Sequence, residues 1–209
     1  ESTGHIPDNA FKDCKELISI NIPFSVSSIG RSAFTGSNLK HLEINSARLV
    51  GEDYAAPQPH SRKKCKWGWF RCHMEVYMYT YGSFWKTYFS NVALESVTFG
   101  ESVKRVGNYA FDMWYGFPAE GSARAISKVV FKAVSSVGLH AFRSVSVTEV
   151  GLYKPGKTSY ATVKSFLPSY GTVRKVTVGG QGSIADNAFS GWSALTSATI
   201  VSPVTVIGK

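Results

Sequence analysis

Two patterns of apolar residues alternate along this chain. The first reads Ile or Val, a small residue or Pro, two variable residues, then Ala-Phe. It occurs as Ile6-Pro7…Ala10-Phe11, Ile29-Gly30…Ala33-Phe34, Val106-Gly107…Ala110-Phe111, Val137-Gly138…Ala141-Phe142 and Ile184-Ala185…Ala188-Phe189. A valine often stands three places ahead, as at Val26, Val103, Val134 and, before Ile207-Gly208, Val204. The second pattern follows each of these, with apolar residues at n, n+3 and n+5. Its instances are Leu17-Ile20-Ile22, Leu39-Leu42-Ile44, Leu94-Val97-Phe99, Ile126-Val129-Phe131, Val147-Val150-Leu152, Val173-Val176-Val178 and Leu195-Ala198-Ile200. Two of these seven lack a clean Ala-Phe ahead of them and carry degraded versions, Thr87-Tyr88 and Ser165-Phe166. The period is constant: 23 residues from Ile6 to Ile29, 24 from Val137 to Ala161, and 23 from Ala161 to Ile184 and from Ile184 to Ile207. A fixed period of this length is the signature of a repeat array.

The positions n+3 and n+5 predict a short strand whose alternate side chains point inward. The Ala-Phe segment is then expected on the opposite side of the coil, with Phe filling the interior and the preceding Gly allowing a tight corner. One coil of about 23 residues cannot bury enough apolar surface to offset the entropy of ordering its own backbone. Stability therefore has to come from stacking neighbouring coils. Outward strand positions form two rows, Ser19, His41, Ser96, Lys128, Glu149, Lys175, Ser197 and Asn21, Glu43, Thr98, Val130, Gly151, Thr177, Thr199. Neither row holds an aromatic residue, so the sheet face is expected to offer only weak polar contacts.

The run Val-x-x-Ile-Gly-x-x-Ala-Phe-x-x-Cys-x-x-Leu-x-x-Ile-x-Ile-Pro closely resembles the BspA-like (Treponema pallidum type) leucine-rich repeat. Residues 6–30, IPDNAFKDCKELISINIPFSVSSIG, come nearest to that pattern. The resemblance covers most of the chain outside its insertions. It implies a right-handed leucine-rich-repeat solenoid with a parallel β-sheet on one face and loops or short helical turns on the other. It also implies a surface or secreted protein acting in adhesion or protein binding, and it supplies no catalytic residues.

The pattern is interrupted twice. Ile29 to Val106 spans 77 residues, which leaves about 31 residues of insertion at roughly 50–82; Val106 to Val137 spans 31, which places a second at about 112–125. Residues 1–209 thus read as one solenoid, expected to be a fragment of a longer array because the pattern breaks off inside a repeat at both ends. Insertions of this kind become loops on one side of a solenoid and often carry binding. In the larger one, Arg62, Lys63, Lys64, Lys66 and Arg71 surround Trp67, Trp69 and Phe70. Tyr77, Tyr79, Tyr81, Phe84 and Trp85 follow at the alternation of a strand or hairpin; the smaller insertion adds Met113, Trp114, Tyr115 and Phe117. Aromatics beside cations make interface hot spots and sugar-stacking platforms. The same residues can instead pin a long loop to the solenoid. The candidate ligand-binding set is Arg62, Lys63, Lys64, Lys66, Trp67, Trp69, Phe70, Arg71, Trp85 and Trp114.

Composition narrows the function. With 44% apolar residues the chain can bury a core, and no stretch approaches the length of a membrane-spanning helix. The net charge of +9 favours acidic partners, or serves solubility alone. Three cysteines are too few for a disulfide scaffold; Cys14 falls in the core pattern as an expected buried thiol. Cys65 and Cys72 can close a small ring worth about 2.5 kcal/mol in an oxidising compartment. No phosphate loop, nucleophile elbow or zinc-protease motif is present, and Cys65…Cys72-His73 lacks metal spacing and a fourth ligand. No cofactor and no enzymatic activity are expected. The leading reading is a cell-surface or extracellular module that binds a protein. The alternatives are a polysaccharide-binding module that uses the insertion tryptophans, and a structural spacer with no ligand; nucleic acid is not an expected partner.

Overall fold

A computed structural model describes residues 4–51, 58–65, 72–79, 84, 88–89, 92–111, 124–142, 145–153, 167, 170–180, 182–184, 186–201 and 204–208; in 58–65 and 72–79 it fixes backbone pairing. Seven strands form one parallel sheet: β1 (Ser19–Ile22), β2 (His41–Ile44), β3 (Ser96–Phe99), β4 (Lys128–Phe131), β5 (Glu149–Tyr153), β6 (Lys175–Gly179) and β7 (Ser197–Ile200). They lie side by side in chain order, so each coil returns to the sheet next to its predecessor, as in a leucine-rich-repeat solenoid. The register joins equivalent positions, running Ile20–Leu42–Val97–Val129–Val150–Val176–Ala198 across the sheet. From β2 to β6 these side chains and their n+5 partners are buried.

On the other side of the coil the chain pairs in parallel again, Gly4–Ile6 with Val26–Ile29, Arg105–Val106 with Ser136–Val137, and Gly182–Ile184 with Val204–Ile207. One backbone bond recurs at the small residue after Ile or Val. Gly30 N donates to Ile6 O at 2.6 Å, Gly138 N to Val106 O at 2.8 Å and Gly208 N to Ile184 O at 2.7 Å. Gly107 N makes the same bond to Val50 O at 2.6 Å. Val50-Gly51 is therefore the Ile-Gly station of the third coil, although it lies in a one-turn helix, Ala47–Gly51. Leu49 and Val50 belong to the core, so this part of the expected insertion is solenoid.

A second recurring bond marks the Ala-Phe station. Phe11 N donates to Ala33 O and Phe111 N to Ala141 O, both at 2.7 Å; Phe34 N donates to Tyr88 O at 3.0 Å. Tyr88 thus takes the alanine slot and Phe89, fully buried, the phenylalanine slot. The reading of Thr87-Tyr88 is corrected by one residue. In the sixth coil, buried Leu167 accepts from Tyr170 N, as Phe11, Phe34, Phe89, Phe142 and Phe189 accept from the residue three places on. The phenylalanine slot there belongs to Leu167, again one residue beyond the Ser165-Phe166 expected.

The interior is an aromatic column. Phe34 stacks on Phe11 at 5.2 Å and on Phe89 at 4.9 Å, and Phe111 stacks on Phe142 at 5.5 Å. From the sheet side, Phe99 and Phe131 stack on each other at 5.4 Å and meet Phe111 and Phe142 edge to face. Offset stacks and edge contacts let the rings fill the coil at high density, beyond what area burial alone supplies.

The corner is built differently from expectation. The residue with positive φ is the one before alanine: Asn9, Ser32, Tyr109, His140 and Asn187, all between 55° and 57°. Glycine two places earlier is needed for close approach. A Cβ on Gly30 would lie 2.2 Å from Asp8 N, and one on Gly138 would lie 2.4 Å from Asn108 N. The space is taken because Asp8 Oδ1 accepts from Arg31 N and Asn108 Oδ1 from Leu139 N, both at 2.7 Å. The Asp or Asn of these two coils thus caps the backbone of the coil that follows.

Apolar side chains at both ends are uncovered: Ile18 is 44% exposed, Ile200 48% and Ile207 62%. Cys14, in the first coil, is only partly buried as a free thiol, contrary to expectation, since coils stack on one side of it alone.

Candidate functional site

Two surfaces can hold a ligand, the insertion in the third coil and the outward face of the sheet. In the insertion, Gln58–Cys65 and Cys72–Tyr79 pair antiparallel over eight residues, from Gln58–Tyr79 to Cys65–Cys72. The strands are joined by Lys66-Trp67-Gly68-Trp69-Phe70-Arg71. Because a ladder alternates faces, the register sorts its residues into two sets. Gln58, His60, Arg62 and Lys64 share a face with His73, Glu75, Tyr77 and Tyr79. Pro59, Ser61, Lys63 and Cys65 share the other with Cys72, Met74, Val76 and Met78.

The structure therefore brings Arg62 and Lys64 to one ladder face together with two histidines and two tyrosines, and places Lys63 on the opposite face. Cys65 and Cys72 form the pair that closes the ladder. Lys66, Trp67, Trp69, Phe70, Arg71, Trp85 and Trp114 lie outside the described residues, as does most of the smaller insertion. Phe84, grouped at the sequence level with the insertion aromatics, is instead a core residue, fully buried against Phe89 and Phe111 at 5.5 Å.

The outward rows of the sheet have the composition read from sequence. Ser19, His41, Ser96, Lys128, Glu149, Lys175 and Ser197 are register partners, and so are Asn21, Glu43, Thr98, Val130, Gly151, Thr177 and Thr199. Their polar groups are tied between coils. His41 Nδ1 and Ser96 Oγ lie 2.9 Å apart, and Asn45 Nδ2 donates to Asn21 Oδ1 at 3.0 Å. Lys132 Nζ meets Glu43 Oε1 at 2.8 Å, Lys175 meets Glu149 at 3.0 Å and Lys40 meets Glu95 at 3.1 Å. Ser19, Asn21, His41, Glu43, Ser96 and Thr98 line a shallow hollow of about 250 Å³.

Sequence reasoning missed a third outward row, in which Tyr153 is the register partner of Gly179. A Cβ on Gly179 would lie 2.8 Å from Tyr153 Cδ1, and one on Gly151 would lie 3.1 Å from Tyr153 Cε2. The ring rests on a two-glycine shelf between Val130 and Val201, half-exposed. The signal was present: Tyr153 continues the period-two alternation of β5 one step past Gly151. On the far side of the coil His140 is half-buried with its ring 5.5 Å from that of Tyr109.

Among the described residues no group of three or more His, Cys, Asp or Glu is placed to hold a metal ion, and no helix is long and apolar enough to cross a membrane. A family model described as the BspA type leucine rich repeat region matches six copies, over residues 1–55, 79–117 and 121–209. Most of the larger insertion, including its hairpin up to Met78, falls between matched segments. No curated protein and no solved structure matches the chain.

Proposed function

The chain belongs to the BspA-type leucine-rich-repeat family, and from that premise we propose that it is a surface or secreted adhesion module that binds an extracellular protein through its third-coil insertion. The solenoid is the rigid platform. The observation that supports the reading is the hairpin register, in which Arg62, Lys64, His60 and His73 share a ladder face with Glu75, Tyr77 and Tyr79. Lys66, Trp67, Trp69, Phe70 and Arg71 follow in the connecting sequence. On the sheet, lysines and glutamates pair from coil to coil. A partner with acidic patches around an aromatic-accepting pocket fits the insertion's chemistry, since desolvated aromatic and arginine anchors dominate protein interfaces. A repeat array of this kind is a scaffold, and its work here is recognition without catalysis.

The test is binding of the full chain, and of a version with residues 61–72 replaced by a Gly-Ser linker, to matrix proteins and host-cell preparations over a salt series. Binding lost on replacement, with a salt slope reflecting the cations, supports the reading. Equal binding by both moves the site to the sheet face, and absence of binding by either leaves a structural spacer.

A second reading, a polysaccharide module, is favoured by the Tyr153 ring on its glycine shelf beside a polar row. A glycan array separates the two. Saturable hits that vanish on Trp67→Ala with Trp69→Ala, or on Tyr153→Ala, would promote the polysaccharide reading over protein binding.

A further inference from the structure

The closing pair of the hairpin carries a chemistry that the solenoid does not use. We propose that Cys65 and Cys72 are joined by a cross-strand disulfide that locks the loop end of the ladder and holds residues 66–71 in a covalent ring. The two residues are direct partners in the antiparallel register, the last of eight consecutive pairs. Directly opposed residues in such a ladder have Cα atoms about 4.5 or 5.5 Å apart, depending on whether the pair is hydrogen-bonded. Both separations fall inside the roughly 4.4–6.8 Å window that a disulfide spans. Opposed residues also share a face of the ladder, so the register meets the two backbone conditions for the bond.

Cys14 is a free thiol in the first coil. Its backbone is fixed in the ladder of the first two coils, its N–H donating to Phe11 O and its carbonyl accepting from Asn38 N. A two-stranded hairpin is marginal in water, and this one is paired only with itself among the sheets of the described residues. A cross-link at the pair next to the loop supplies what a core supplies in the coils.

Bond formation needs an oxidant, and a small-molecule disulfide of the glutathione class suffices. The thiolate of one cysteine attacks a sulfur of that disulfide, forming a mixed disulfide and expelling one small thiolate. The second cysteine, as thiolate, attacks the protein sulfur of the mixed disulfide, forming the Sγ–Sγ bond and expelling the second small thiol. The protein loses two electrons and two protons; the reagent disulfide becomes two thiols. The proposal does not depend on the identity of any ligand.

The experiment uses the full chain equilibrated natively with oxidised glutathione. Remaining thiols are then alkylated in denaturant, and the chain is digested without reduction for mass spectrometry. The expected result is one alkylated thiol, Cys14, and a linked peptide pair Cys65–Cys72 lighter by two hydrogen atoms, unchanged in Cys14→Ser. Three alkylated thiols, a stable glutathione adduct on Cys65 or Cys72, or a link that includes Cys14 would overturn it. A bonded pair on a chain that binds nothing would sink the adhesion reading and leave this one standing.

Discussion

The coils and the hairpin solve the same problem by opposite means. In the coils every strand is parallel, its partners are one period or more away, and the side chain at each station is dictated by what lies above and below. Phe89 has to be large and apolar because Phe34 stacks on it at 4.9 Å. In the hairpin the strands are antiparallel and six residues apart, and each residue's ladder partner lies within the hairpin itself. The coils are therefore repetitive and the hairpin is particular. A solenoid concentrates individuality where its period is broken, since a change inside the stack has to be matched in two adjoining coils.

That contrast can be pressed from its strongest point. Phe111→Ala removes a fully buried ring that touches Phe84, Phe99 and Phe142. The expected loss is about 3–5 kcal/mol by chemical denaturation, and a loss below 1 kcal/mol would mean the coils tolerate cavities. Gly30→Ala drives a methyl group into Asp8 N, and should cost about 1–3 kcal/mol as an overpacking. Asn108→Ala removes the acceptor for Leu139 N, and about 1 kcal/mol is expected from the lost cap. Lys132→Ala breaks a partly exposed ion pair with Glu43; the effect should stay below about 1 kcal/mol and shrink with added salt. Replacing residues 61–72 by a Gly-Ser linker should leave the thermal midpoint of the coils near that of the parent while abolishing binding. A large drop in that midpoint would show the hairpin to be part of the stack and would dissolve the comparison.

The strand positions, the inward and outward rows and the five clean Ala-Phe stations were legible because each repeats at a fixed offset. Legibility failed where a residue could fill a slot without matching the motif. Phe89 and Leu167 were each passed over for the residue before, because a degraded station offers two adjacent aromatic or apolar residues and only the backbone bond tells which one faces in. Val50-Gly51 was hidden because it lies in the helix Ala47–Gly51 and arrives 21 residues after Ile29 where 23 were expected. Tyr153 escaped because its importance depends on Gly151 and Gly179, and the second of these is its neighbour only through the register. For the candidate site, the alternation that begins at Tyr77 and Tyr79 signalled a strand or hairpin. Which residues share a face with Arg62 and Lys64 was not readable until the opposite strand was in place.

The cap between coils has a consequence for how such an array can be rearranged. Asp8 requires a bare backbone at Gly30, and Asn108 requires one at Gly138. Asp186 is followed at the same 22-residue spacing as Asp8 by Gly208, whose N–H donates to Ile184 O. Duplication or deletion of repeats by unequal recombination splices the trailing half of one coil to the leading half of another. Any junction that sets an alanine or a larger residue after an Asp or Asn coil creates a collision that neither parent contained. Exchanges that keep Asp8 with Gly30 and Asn108 with Gly138 avoid that collision, so these coils are best moved as adjoining pairs.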